Sequence, residues 1–325
     1  MRTERYYDDI LEHYLLSENS FKNPQKSIEY SNGDFYGSMG NLYTSIVTLL
    51  PWGQQPSDRM LNSTEFLFIE PPEEYLYIDK RPEFIKDFQK LIALDMPLIY
   101  ALSLNDDSLP NSVTNLTLIN DREQTDCLGT NKREMKNNLL FPNFSYPNIK
   151  GLHLVTSSSA ELIADGYLNI SEHHFPNLEF LRCCMCDKDK YSLLDKFPKL
   201  KHLWVTINNR DSLFNQIKSP LQSLYIDGCG KDLNIQEIQN IPSLEILHIN
   251  SCYNTIDCTN FQKMPKLKEI RILNSKQVTN IETLLDMPTL KSLDILDCKG
   301  AFTKEQKVRF YDKVDKFELL SIEYA

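Results

Sequence analysis

One short stretch of the chain carries thiol and imidazole side chains that could hold a metal ion. His173 and His174 are followed shortly afterwards by Cys183, Cys184 and Cys186. Thiolate sulfur and imidazole nitrogen are the donors that zinc prefers, and four of them can surround the ion tetrahedrally. Successive residues of a strand point to opposite faces, however, so Cys183 and Cys184 cannot both reach one ion. We therefore expect structural thiols here and no metal site.

Nucleophilic and phosphate-binding patterns are also poorly matched. Cys127, Cys184 and Cys258 have no predicted place in the core, but none is followed two positions later by an aspartate, as a Cys-x-Asp nucleophile pattern requires. Residues 31–40 contain glycines but lack the Gly-Lys-Ser/Thr ending of a phosphate-binding loop. The sequence therefore predicts no catalytic residue and no cofactor, and it predicts a loop at residues 31–40.

Composition and charge limit the classes of partner. The 325 residues include 35 Lys and Arg against 45 Asp and Glu, a formal net charge of −10. Nucleic acids and anionic membranes attract basic surfaces, so we expect neither as a partner. The first residues lack the apolar stretch of a secretory signal, and no apolar run of about 18 residues occurs. We therefore expect a cytoplasmic protein with reduced cysteines.

A unit of the form Pro-x-Leu-x-x-Leu/Ile recurs in the second half of the chain, shortened by one residue at Pro220–Leu221, and it supplies the elements that position side chains. Its first leucines are Leu178, Leu200, Leu221, Leu244, Leu267 and Leu290, so their numbers rise in steps of 22, 21, 23, 23 and 23. The residues eight positions beyond these leucines are Cys186, Asn208, Cys229, Cys252, Ser275 and Cys298. A nearly fixed period of this length indicates stacked units that bury a core together.

These units resemble the leucine-rich repeat family, whose unit is Leu-x-x-Leu-x-Leu-x-x-Asn/Cys-x-Leu. The resemblance is strong over residues 147–298. It implies an α/β solenoid of about seven to nine coils, with a curved parallel sheet inside and short convex helices. It also implies that the Cys, Asn and Ser residues of the period face inward and hydrogen-bond the turn that leaves each strand. The family consists chiefly of binding scaffolds, which implies a protein partner.

The pattern weakens on both sides of this region. Residues 99–104 and 113–118 both fit the strand core, but they follow each other too closely along the chain to belong to successive coils. One register or one assignment there must therefore be wrong. At the other end, residues 317–322 predict a last strand, which is reached through a helix over residues 304–316.

The N-terminal part of the chain, up to position 95, differs from the repeats. Apolar spacing predicts one helix over residues 6–15 and another over residues 84–92, the latter opened by Pro82 at a favoured first-turn position. Residues 66–69 and 75–78 look like short strands.

Two regions follow from these patterns. We predict an N-terminal cap of mixed helix and strand over residues 1–95 and a leucine-rich repeat domain over residues 96–325, because a solenoid needs capped ends. The alternative is that residues 1–95 form a distinct functional domain, including one with an enzyme site.

Each predicted strand places one side chain outward between two inward apolar residues. This row lines the expected concave face and consists of Arg182, Trp204, Tyr225, His248, Arg271 and Asp294. The flanking outward positions are Phe180, His202, Ile246 and Glu269 on one side and Thr206, Asp227, Asn250 and Leu273 on the other. Trp, Tyr and Arg are enriched at binding hot spots, so we predict partner contacts through the row, His202 and Asp227. The alternative is that the large aromatic side chains only pack on each other.

The sequence thus predicts a non-enzymatic scaffold that recognises a protein on its concave face. The acidic charge favours a basic partner. Residue usage rich in Asn, Lys and Ile, together with the acidic charge, fits a bacterial immunity protein that neutralises a toxin. The alternative of the same class is an effector or adaptor that binds a host or regulatory protein.

Overall fold

The structure is a computed structural model, and it divides into two compact units. The N-terminal unit comprises Leu11–Arg182, and the C-terminal unit comprises Met1–Ile10 together with Cys183–Ala325. The residues that the structure describes are 6, 29–31, 34–38, 46–50, 54–69, 82–101, 103–120, 141–156, 170–185, 194–207, 214–229 and 234–322. The predicted boundary between residues 95 and 96 stays a prediction.

The N-terminal unit is built on a sheet whose strands follow one another in chain order. The strands are β1 (Glu29–Ser31), β2 (Asp34–Ser38), β3 (Ile46–Leu50), β4 (Phe66–Ile69), β5 (Ala93–Pro97), β6 (Asn115–Asn120), β7 (Gly151–Thr156) and β8 (Phe180–Met185), of which residues 180–182 belong to this unit. The pairs β1–β2 and β2–β3 are antiparallel, and the pairs from β3 to β8 are parallel. Helices α1 (Asp58–Ser63) and α2 (Leu98–Ala101) and the 3₁₀ helix η1 (Glu83–Asp87) lie between these strands along the chain.

A ladder of leucines forms the core of this unit. Matching positions on β4 to β8 are occupied by Leu67, Leu94, Leu116, Leu152 and Leu181. Each of them is at most 2% exposed. Because alternate residues of a strand share one face, the ladder fixes which side chains point inward and which point outward.

The conflict between residues 99–104 and 113–118 is resolved in favour of the second. Residues 98–101 are helical, and the strand that pairs with β6 is β5, in which Leu94 lies opposite Leu116. The predicted helix over residues 84–92 is wrong beyond Asp87, where η1 ends. The apolar spacing there also fits the repeat, because Leu91, Leu94 and Met96 are fully buried on one side of the coil.

Other predictions for residues 1–95 have mixed outcomes. The strand at residues 66–69 is confirmed as β4, whereas residues 75–78 lie outside the described residues. Of the predicted helix over residues 6–15 the structure describes Tyr6, which is helical. The loop predicted at residues 31–40 is wrong in part, because β2 pairs on one side with β1 and on the other with β3.

The main sheet of the C-terminal unit is parallel. Its strands, in order, are β9 (His202–Ile207), β10 (Ser223–Cys229), β11 (Ile246–Cys252), β13 (Glu269–Leu273), β15 (Ser292–Leu296) and β16 (Leu319–Ile322). A second parallel pair is formed by β12 (Thr255–Asp257) and β14 (Gln277–Thr279). The helical segments are η2 (Phe214–Gln216), η3 (Ile235–Asn240), η4 (Cys258–Lys263), η5 (Ile281–Asp286), α3 (Lys304–Asp312) and η6 (Val314–Lys316).

This unit repeats one coil with a nearly constant step. Its inward ladder is Leu203, Leu224, Leu247, Ile270 and Leu293, each at most 2% exposed. The short helices between β9 and β15 are of the tight 3₁₀ type, which is used in short pieces, whereas α3 between β15 and β16 is an α-helix. The predicted last strand and the helix before it are confirmed as β16 and α3 with η6. The fold is a leucine-rich repeat solenoid, as the sequence predicts.

The turns that leave the strands follow the resemblance. The backbone N–H of Cys252 donates to Oγ of Ser275 (3.3 Å), and Sγ of Cys298 donates to the carbonyl of Leu296 (3.2 Å). The residues directly before positions 252, 275 and 298 have left-handed backbones, with φ between 47° and 56°. Asn274 and Asp297 are of the types that tolerate this conformation. Positions 186 and 208 lie outside the described residues.

The cysteines that the structure describes are structural. Cys183, Cys229, Cys252, Cys258 and Cys298 are buried free thiols. The interpretation of Cys258 as a residue without a core role is wrong, because η4 begins at Cys258 and turns its side chain into the core. Cys127 and the side chain of Cys184 lie outside the described residues.

Of the His173–His174 pair, His174 belongs to a packed corner and His173 is exposed. The ring of His174 lies 5.5 Å from that of Phe141, and its Nδ1 accepts the backbone N–H of Ser171 at 3.1 Å. Over the ranges given above, no group of three or more metal-binding side chains comes together. The helices within those ranges are also too short or too polar to span a bilayer.

Candidate partner-binding surface

The predicted row of outward side chains is aligned across the sheet of the C-terminal unit. Trp204 lies opposite Tyr225, Tyr225 opposite His248, His248 opposite Arg271, and Arg271 opposite Asp294. These residues alternate with the inward ladder, so they project from the face of β9 to β16 opposite the leucines. We call that side of the sheet the outward face. The register predicted from the repeat is therefore confirmed.

Three aromatic side chains of the row pack on each other. The ring centroids of Trp204 and Tyr225 are 4.3 Å apart, and those of Tyr225 and His248 are 5.7 Å apart. Neighbouring strands lie about 4.8 Å apart, so large rings on adjacent strands meet directly. Trp204 is only 7% exposed as a result. Mutual packing, the alternative to partner contact, thus accounts for much of the tryptophan surface.

Two pairs of polar side chains continue the row. Nε2 of His248 lies 2.5 Å from Oε1 of Glu269, and Nε of Arg271 lies 3.1 Å from Oδ2 of Asp294. A carboxylate can only accept, so Nε2 of His248 carries the hydrogen. Glu269 is fully buried, and such a carboxylate needs donors on its oxygens to be tolerated.

Exposure differs from one side chain of the row to the next. Trp204, His248 and Asp294 are buried, whereas Tyr225 and Arg271 remain half-exposed. Partner contact through the row stays a prediction, but three of its side chains are buried. They are buried because each side chain reaches its neighbour on the next strand and forms a ring contact or an ion pair there. His202, also predicted as a contact residue, is buried, with Nδ1 3.1 Å from Oγ of Ser223.

A second outward line stays accessible beside the packed row. Asp227, Asn250 and Leu273 occupy matching positions on β10, β11 and β13 and are half-exposed. Nδ2 of Asn250 donates to Oδ1 of Asp227 (2.8 Å), and Nδ2 of Asn274 donates to Oδ1 of Asn250 (3.0 Å). These bonds hold the Asp227 carboxylate in a defined place at the edge of the outward face.

Tyr6 lies at the other end of the same strands. Its backbone N–H donates to Oε2 of Glu269 (2.6 Å), and its hydroxyl donates to Oε2 of Glu318 (2.6 Å). Nζ of Lys268 stands 4.7 Å from the centre of the Tyr6 ring. The apolar spacing of residues 6–15 predicts only that Tyr6 lies on one face of a helix. No local pattern links it to acceptors near the opposite end of the chain.

The N-terminal unit has its own outward row. Asp95, Thr117, His153 and Arg182 are matched on β5 to β8, and the first three are buried. Burial lowers the pKa of His153 well below its usual range, and the Arg182 charge lowers it further. Arg182, predicted as a partner contact, is half-buried beside His153.

Comparisons with known proteins found distant structural similarity and no sequence match. No family model matches the sequence, and no curated protein matches it. Among solved structures, an internalin from Listeria monocytogenes is 12% identical, with 81% of this chain and 68% of that chain covered and a TM-score of 0.44. The leucine-rich repeat protein LegL7 from Legionella pneumophila is 14% identical over 72% of this chain and 81% of its own, with a TM-score of 0.37. TLR13 in complex with a single-stranded RNA is 14% identical, with a TM-score of 0.37. The match spans 74% of this chain and 41% of TLR13.

Proposed function

We propose that the chain is a non-enzymatic protein-binding scaffold whose partner contacts the outward face around Tyr225, Asp227 and Arg271. The observation that carries this proposal is the arrangement of these three side chains on nearby strands. They reach solvent while their neighbours hold them in place: Trp204 packs on Tyr225, and Asp294 pairs with Arg271. Side chains fixed before binding lose little conformational entropy in a complex. Tyr and Arg are also among the residues that dominate binding energies.

A basic protein fits this surface best. The buried carboxylates Glu269 and Asp294 are already matched by His248 and Arg271, so the carboxylate that remains half-exposed near the proposed contact residues is that of Asp227. The formal net charge of −10 adds a long-range attraction for positive partners. It also opposes the approach of nucleic acid, whose binding depends on basic side chains.

As the biological setting, we propose a cytoplasmic bacterial immunity protein that neutralises a toxin, and the acidic charge supports this. An effector or adaptor that binds a host or regulatory protein uses the same surface. A toxin gene directly upstream, together with restored growth when both genes are expressed, is the outcome expected for an immunity protein. Toxicity that the chain does not relieve favours the effector or adaptor.

The contact surface is tested by capture and titration. The tagged full-length chain captures its partner from cells of the source organism, and the recovered protein is then titrated calorimetrically. We expect Tyr225→Ala and Arg271→Ala each to weaken binding by at least about 2 kcal/mol, the usual hot-spot threshold. Lys263→Ala removes an exposed cation from η4 and serves as the matched control for Arg271→Ala.

Arg271→Ala also removes an ion pair from the buried Asp294, which lowers the stability of the fold. Thermal unfolding of each variant therefore distinguishes a loss of stability from the loss of a partner contact. A folded Tyr225→Ala protein with unchanged affinity, alongside unchanged affinity for Arg271→Ala, would remove the outward face from the binding site.

A further inference from the structure

We propose that the residues at the starts of β13 and β16 form a tyrosine-binding site, which Tyr6 fills in the resting chain. In the complex, a tyrosine-bearing segment of the partner takes the place of Tyr6. The exchange with a partner rests on the function proposed above, whereas the site and its occupation by Tyr6 rest on the contacts within the C-terminal unit.

Three contacts define the site. Glu269 accepts the backbone N–H of Tyr6, Glu318 accepts its hydroxyl, and Lys268 stands over its ring. Both hydrogen bonds are 2.6 Å long and end on carboxylates, which is the short, charge-assisted kind. The Lys268 ammonium lies within the distance at which a cation is attracted to an aromatic face. Nζ of Lys268 is also held by Oε2 of Glu245 at 3.0 Å.

The spacing of the two acceptors selects a long side chain with a terminal donor. Glu269 begins β13 and Glu318 directly precedes β16, and one strand, β15, lies between them in the sheet. Two strand spacings amount to roughly 9.6 Å. A ligand must therefore bring an N–H to the first carboxylate and a hydroxyl to the second across that interval. Phenylalanine offers the ring but leaves Glu318 without its donor.

The site is joined to the packed row through one carboxylate. Oε2 of Glu269 binds Tyr6, while Oε1 of the same side chain binds His248. The ring of His248 in turn contacts Tyr225, which belongs to the proposed partner contacts. A ligand in the tyrosine site therefore shares its anchor with the surface that the partner uses.

Occupation by a residue of the same chain lowers the apparent affinity for an outside ligand. A group of the same chain acts at an effective concentration that an outside ligand has to exceed. A competing tyrosine must overcome this before it binds. Removal of the Tyr6 ring should therefore open the site to a peptide added from outside.

The probe is a fluorescent peptide of residues 1–15, titrated into the full-length chain and followed by anisotropy. We expect the Tyr6→Ala chain to bind the peptide saturably and the wild-type chain to bind it at least about tenfold more weakly. A peptide with Tyr6→Phe should lose roughly tenfold or more, because it lacks a hydrogen bond to a charged acceptor. A peptide with Tyr7→Phe is the matched control and should bind like the parent.

The receptor side is tested with Glu318→Ala in the Tyr6→Ala chain, where peptide affinity should fall at least about tenfold. Asp312→Ala, which removes an exposed carboxylate from the end of α3, should leave it unchanged. Should Tyr6→Ala fail to fold, the Tyr6→Phe chain replaces it as receptor, with the same expected order of peptide affinities.

Equal binding of the peptide to the wild-type and Tyr6→Ala chains would overturn the proposal, as would equal binding of the parent peptide and the peptide with Tyr6→Phe. No step of this experiment requires the partner. A failed partner titration would therefore contradict the proposed function and leave the tyrosine site standing, and the reverse also holds.

Discussion

His248 and Glu269 form a hydrogen-bonded pair across β11 and β13 in which both side chains are 1% exposed. The chain offers a surface counterpart with almost the same geometry. Nη1 of Arg309 lies 2.6 Å from Oε1 of Glu282, but those side chains are 66% and 40% exposed. The two pairs thus have nearly the same donor–acceptor distance and differ in burial. A comparison of their coupling energies therefore shows how burial changes the strength of such a contact.

Double-mutant cycles should show this difference. We expect Glu269→Ala to destabilise the chain by about 1–3 kcal/mol, because it strands a buried donor on His248, and the cycle with His248→Ala to give a coupling of at least about 1 kcal/mol. The Arg309–Glu282 cycle should stay within about 1 kcal/mol. The measurement is chemical denaturation of all variants, and equal couplings for both pairs would contradict the expectation.

Truncation of the leucine ladder should be costly at its centre. Leu247 is fully buried, with Leu224 and Ile270 opposite it on the neighbouring strands. Leu247→Ala should lower the free energy of unfolding by roughly 2–5 kcal/mol, the range for a buried leucine. Val308→Ala removes apolar atoms from an exposed position of α3 and should change it by less than about 0.5 kcal/mol. A loss below about 1 kcal/mol for Leu247→Ala would mean that its coil packs loosely.

Acid should weaken the N-terminal unit through His153. Its pKa is lowered in the folded chain, chiefly by burial and also by Arg182, so the folded state stays neutral where the unfolded state binds a proton. Stability from this residue is therefore present above the unfolded pKa of about 6.5 and falls as the pH drops below it. The slope approaches about 1.4 kcal/mol per pH unit.

The comparison is between the wild type and His153→Gln, unfolded by denaturant at about pH 7.5 and about pH 5.5. The wild type should lose about 1 kcal/mol more than the variant over this range. His173→Gln, at an exposed site, is the control and should behave like the wild type. Parallel losses in wild type and His153→Gln would show that another group carries the acid sensitivity.

Thiol chemistry should follow burial. Burial raises the pKa of Cys183 to about 12, and the thiolate is the reactive form, so this residue should resist iodoacetamide at about pH 8 while the chain is folded. After unfolding without reductant, mass spectrometry should find all 8 cysteines of the chain alkylated. Two or more disulfides would contradict the expected reducing compartment.

Sequence patterns predicted the C-terminal coils better than the N-terminal ones, for a physical reason. From Leu224 to Leu293 the ladder numbers rise by 23 at every coil, so leucines and turns recur at fixed places. From Leu67 to Leu181 they rise by 27, 22, 36 and 29, because segments of different length separate the strands along the chain. In that part of the chain the apolar spacing around Leu91 also fits a helix. The pairing of β5 with β4 and β6 shows that Leu91 belongs to a coil of the repeat.

The outward face was predictable in register and not in exposure. Alternation along each strand places Trp204, Tyr225 and Arg271 on one face, and a sequence shows that directly. Whether a ring rests on its neighbour or meets solvent depends on contacts between strands. The position of Tyr6 depends on a contact between opposite ends of the chain. Neither kind of contact leaves a local pattern in the amino-acid sequence.

The constant step of the central coils has an evolutionary consequence. Loss of residues 247–269 would join Ile246 directly to Ile270 and keep every remaining side chain on its original face. Arg271 would then lie beside Tyr225, and a duplication of the same length would move them one strand further apart. Recombination between equivalent codons can therefore change the reach and chemistry of the outward face while each surviving coil keeps its own packing.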